Sequence, residues 1–101
     1  MTKKEMLFKF GKKVSMLQWQ IQFSKESIKE GKQFDDVLRI EFEEQQIKNF
    51  SQKIFGIVEF ASDFNIKHDD VFMLANNLSY EFSYQDIENM TVNPYEKKRS
   101  A

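Results

Sequence analysis

Apolar side chains recur at three- and four-residue intervals along most of this chain, and that spacing predicts helices. Met6, Phe10, Val14, Leu17, Ile21 and Ile28 form the first stripe. Thr2-Lys3-Lys4-Glu5 stands ahead of it as a capping box, in which Thr2 accepts from the new helix and Glu5 reaches back. A strand-like pattern overlaps the stripe. Leu17, Trp19, Ile21 and Phe23 alternate with Gln18, Gln20 and Gln22, the period of a half-buried strand, and Gly11-Lys12-Lys13 would then be a hairpin turn. Gln and Lys are good helix formers and an isolated hairpin is weak. A helix is therefore expected, with an N-terminal β-hairpin as the alternative. In the helix, Trp19 and Phe23 lie off the main stripe and widen its apolar face.

Gly31 is the expected stop. Asp35 or Asp36 then caps a long central helix that runs to about Phe64, and both acids suit its positive end. Ile40, Ile47, Ile54 and Ala61 recur every seven residues, with Phe50, Ile57 and Phe64 three residues after the last three of them. That is an a/d seam, interrupted at Glu43. Phe42, Phe55, Val58 and Phe60 lie outside it. From Ile54 to Ala61 the helix is apolar nearly all round apart from Glu59, which predicts burial on several sides, part of it by another subunit or partner. Asn65 can end this helix in a left-handed conformation. Asp69 or Asp70 starts a third, with Val71, Leu74, Ala75 and Leu78 on one face. Ser83-Tyr84-Gln85-Asp86, stapled by Phe82 and Ile87, predicts a short fourth helix to about Met90. The expected architecture is all-α: one domain over residues 1–92, a small bundle of about four helices around one long central helix. Residues 93–101, opened by Asn93-Pro94, read as a flexible polar tail.

Composition changes this picture in one respect. The 101 residues include eleven Phe, one Trp and three Tyr, beside no Cys, one His and three Gly. Each aromatic can bury roughly 150–250 Å², more in sum than one small core is expected to absorb. Aromatics left at the surface would mark an interaction site. Charge is split as well. Residues 1–32 carry a net +5, residues 33–96 a net −9 and the last five residues +3, for −1 overall. A basic end on one subunit could meet the acidic middle of the next, a head-to-tail contact of the kind that builds rings or spirals.

Candidate chemistry is sparse. His68-Asp69-Asp70 is too local to surround a metal ion, and no second histidine completes a site, so it reads as a helix start. The acid pairs Asp35-Asp36, Glu43-Glu44 and Asp69-Asp70 point in different directions on their helices and lack the pocket that acid–base work requires. The serines have no nucleophile-elbow glycines, and neither a phosphate loop nor a dinucleotide fingerprint occurs. The expectation is a non-enzymatic protein with no metal and no cofactor. No cysteine and no membrane-length apolar run fit a cytoplasmic setting, and no signal peptide is read at the lysine-rich start. The Asn89-Met90-Thr91 sequon would go unused there. Lys3, Lys4, Lys9, Lys12 and Lys13, interleaved with Phe8 and Phe10, make a small DNA-binding regulator the alternative. Against it, Arg39 and Arg99 are the only arginines and the third helix has no basic residue.

In its many Phe and Met, helical body and polar tail, and in the stretches Phe72-Met73-Leu74-Ala75-Asn76-Asn77-Leu78 and Phe82-Ser83-Tyr84-Gln85-Asp86-Ile87-Glu88-Asn89-Met90, the chain resembles the small tail-assembly chaperones of siphophages, especially those of lactococcal phages. The resemblance implies a non-structural protein of the host cytoplasm that self-associates and coats the tape-measure protein. It brings no catalytic residue. The aromatic pattern supplies the candidate client- and oligomer-binding set: Trp19, Phe23, Phe42, Phe55 and Phe60. A phage inhibitor that docks on a host protein is a further alternative.

Overall fold

The structure, a computed structural model, describes residues 1–78. They form three helices: α1 (Lys3–Gln33), α2 (Val37–Ser62) and α3 (His68–Leu78). The all-α expectation holds for these residues, and the hairpin alternative does not, since α1 is unbroken from Lys3 to Gln33. The helix expected at 83–90 and the tail at 93–101 lie outside the described residues.

The helix ends are set by local chemistry. The Thr2 hydroxyl accepts from the Glu5 N–H at 3.1 Å, and the Glu5 carboxylate accepts from that hydroxyl. Asp36 caps α2 by accepting from the Arg39 N–H at 3.2 Å. Asn65 is left-handed (φ 61), as expected, and the Ile66 N–H reaches back to the Ala61 carbonyl at 3.1 Å. That closure is a Schellman motif, and Ile66 enters the core beside Ala61. The end of α1 differs from expectation. The helix passes Gly31, and the left-handed residue is Asp35 (φ 52), with the Asp36 N–H bonded to the Gly31 carbonyl at 2.8 Å. Gly31 serves close approach: a Cβ there would stand 3.0 Å from Ile40 Cγ1, so the missing side chain lets α2 fold back on α1. Arg39 fixes the same corner through Ser27 and Glu30, at 3.0 and 2.7 Å.

The helix expected to be central, α2, is not the hub: α1 is longer and packs most extensively on α2, then on α3, while α2 and α3 touch little. The core comprises Val14, Ile21, Ile54, Val58, Ala61, Ile66, Val71, Phe72 and Ala75. Burying such side chains supplies roughly 1.5–3 kcal/mol each for the larger ones. The seam of α2 is rotated from the expected one. Val58, placed outside the heptad positions, is buried. Phe64, placed inside them as the last helical residue, lies in the turn after α2 ends at Ser62 and is exposed. On α1, Gly11 and Gln18 turn inward toward α3. A Cβ on Gly11 would stand 2.9 Å from Leu74 Cγ, and the Gln18 amide donates to Asn76 Oδ1 at 3.0 Å. Ser15 and Ser51 are buried too, their hydroxyls returned to the carbonyls of Lys12 and Ile47 at 2.7 Å each.

Candidate functional site

This core is built mainly from small aliphatic side chains, and that decides where the rings go. Ten of the eleven phenylalanines lie in residues 1–78, and Phe72 is the one that is buried. Phe8, Phe23, Phe34, Phe42, Phe60 and Phe64 are exposed, as is Trp19. The sequence expectation of rings in excess of the core is met among the described residues.

Most of the exposed rings on α1 and α2 gather along one face. α1 and α2 run antiparallel, and on the side away from Gly11 and Gln18 they leave an open groove in two adjoining stretches. One, of about 490 Å³, has a floor of Leu17, Gly56 and Ile57, walls of Met16 and Phe60, and Lys13 and Lys53 on its rim. The other, of about 480 Å³, is bounded by Trp19, Phe23, Phe42 and Phe50, with Ser24, Glu43 and Gln46. Gln20 lines both. Aromatic contacts close the first stretch: Phe10 and Phe60 meet edge-on at 5.8 Å, and Phe60 and Phe64 at 5.2 Å. Gly56 leaves a notch, because a Cβ there would find nothing within 4 Å.

Of the candidate set, Trp19, Phe23 and Phe42 come together in one stretch and Phe60 stands in the other. Phe55 does not join them. It is half-buried and packs against the core. Five residues separate it from Phe60, about 140° around the helix at 3.6 residues per turn. Sequence reasoning missed Met16, Gly56 and the flanking charges Lys13, Lys53 and Glu43. Gly56, breaking an apolar run, was the available signal. Polar chemistry along the groove is limited. The Ser24 hydroxyl donates to Glu43 at 3.4 Å, and Lys53 Nζ stands 6.0 Å from the Phe50 ring centroid.

The remaining polar features are ordinary. His68 opens α3, its Nε2 3.1 Å from the Asp69 carboxylate, and no group of three or more metal-capable side chains occurs among the described residues. Lys9, Lys12 and Lys13 share one side of α1, whereas Lys3 and Lys4 fall elsewhere around it, so the five do not form one stripe. No helix among the described residues is long and apolar enough to cross a membrane. Compared with protein-family models, curated proteins and solved structures, the chain matches none.

Proposed function

We propose that this protein is a non-enzymatic assembly chaperone of the host cytoplasm that grips apolar helical segments of a long client in the α1/α2 groove. Tail-assembly chaperones of phages, which shield a tape-measure protein, are the class that fits this reading. The observation that carries it is the exposed row Trp19, Phe23, Phe42 and Phe60 around an apolar floor, while smaller aliphatics fill most of the core. Exposed apolar area of this kind is retained where a partner covers it. A groove between two helices suits an amphipathic third helix, whose side chains at i, i+3, i+4 and i+7 would enter it. One site binds weakly. Separate copies can occupy successive apolar segments along a long client, each through its own groove.

The sole tryptophan reports on the groove directly, since Trp19 is 53% exposed there. Titration with a synthetic amphipathic helix carrying a Leu/Phe stripe should shift Trp19 emission to the blue. The Phe23→Ser/Phe42→Ser variant should lose the shift and keep its helicity. Co-expression with a tape-measure segment should keep that segment soluble. A client equally soluble without the chain, together with unchanged Trp19 emission, would sink the reading.

A further inference from the structure

We propose that the groove face also pairs with the same face of a second copy of this chain, across a two-fold axis near Trp19 and Gln20. The pairing stands on the chemistry of the groove itself. Its consequence, that self-association and client binding exclude one another, rests on the function proposed above.

Charge complementarity selects this occupant. Lys13 flanks one end of the groove and Glu43 the other. The hydrogen bond from Ser24 places Glu43 level with the eleventh residue beyond Lys13, about 16 Å along α1. A two-fold axis midway reverses the second copy, so each Lys13 faces the Glu43 of the other. Two ion pairs form, and no like charges meet at the groove ends. A parallel arrangement would instead set Lys13 against Lys13. The shapes follow the same symmetry. Phe42 lies beside Glu43, and the open notch at Gly56 lies in the stretch flanked by Lys13. Reversal brings each Phe42 over the Gly56 of the other copy.

The area agrees. Met16, Trp19, Phe23, Phe42 and Phe60 are 60%, 53%, 72%, 61% and 54% exposed. At roughly 200 Å² for each large side chain, they offer on the order of 600 Å² per copy. Two copies would bury about 1,200 Å², the lower edge of specific, stable interfaces, which suits a dimer that a client can displace. An isologous contact stops at two, unlike the open series that a head-to-tail contact makes.

Sedimentation equilibrium and light scattering on the full chain test the pairing. The expected result is a monomer–dimer equilibrium ending at twice the 12.1 kDa chain mass. Lys13→Glu and Glu43→Lys should each weaken the dimer about tenfold, by turning two ion pairs into repulsions. An equimolar mixture of the two variants should regain wild-type strength, since each contact then joins opposite charges. Gly56→Phe, placed where there is open space, should abolish pairing and leave the circular dichroism unchanged. A protein monomeric at its highest soluble concentration overturns the proposal. So does growth beyond two copies, or a dimer indifferent to both Lys13→Glu and Gly56→Phe. Adding the amphipathic Leu/Phe helix separates the two readings. Dimerisation without peptide binding supports the pairing and removes the chaperone function. Peptide binding by a strict monomer does the reverse.

Discussion

The two helical glycines Gly11 and Gly56 should respond in opposite directions to the same substitution. Both sit inside long helices, where alanine is favoured over glycine by about 1 kcal/mol. At Gly56 nothing lies within 4 Å of the new methyl group, so the whole gain should be realised. Gly56→Ala should therefore raise the melting temperature by about 4–8 °C, the usual response of a domain this size to 1 kcal/mol. At Gly11 the methyl group meets Leu74, not only at the tip of its side chain but at Cγ (2.9 Å) and Cβ (3.0 Å). Rotating Leu74 cannot clear contacts so close to its backbone, so α3 must move. Overpacking of this kind costs about 1–3 kcal/mol. Set against the helical gain, Gly11→Ala should destabilise by ~1 kcal/mol. Urea and thermal denaturation followed at 222 nm measure both. In the Leu74→Ala background the same Gly11→Ala change should become neutral or stabilising, a coupling that a double-mutant cycle isolates. If Gly11→Ala stabilises as much as Gly56→Ala, the close seating of α3 on α1 is wrong, and with it the side of α1 left free for the groove.

Two further outcomes follow from the described residues. Gln18 is fully buried, its Nε2 bonded to Asn76 and its Oε1 without a partner among the described residues, so Gln18→Glu would bury a carboxyl group. Burial should raise that group above the unfolded value of about 4.3, so the folded state holds its proton longer. Stability of this variant should then be highest below about pH 4.3 and fall relative to wild type as pH rises toward the raised folded value; parallel wild-type and variant curves across pH 4–8 would refute this. Asp35→Gly should stabilise by about 0.5–1 kcal/mol, because a non-glycine residue at φ 52 carries a steric cost that glycine lacks; an unchanged urea midpoint would contradict it.

Helices, and most of their ends, were legible along the chain because the interactions that make them are local. The Thr2–Glu5 box, the Asp36 cap and the left-handed Asn65 each depend on residues within a few positions. The surplus of rings over core could also be counted in advance. What the chain could not state was how far each helix turns about its own axis. That rotation is set by other helices: Leu74 against Gly11, Ile40 against Gly31 and Asn76 against Gln18, the last joining residues 58 apart. A glycine and a glutamine carry no apolar signal, so an inward-facing stripe through them is invisible to periodicity. The same rotation carried Val58 into the core and set Phe55 away from the groove, while Phe64 lies beyond the last turn of α2 and is exposed. Amino-acid order thus determined that rings would be left over, and tertiary packing decided which of them line one face together, because only contacts between helices fix the direction in which a regular helix points its side chains.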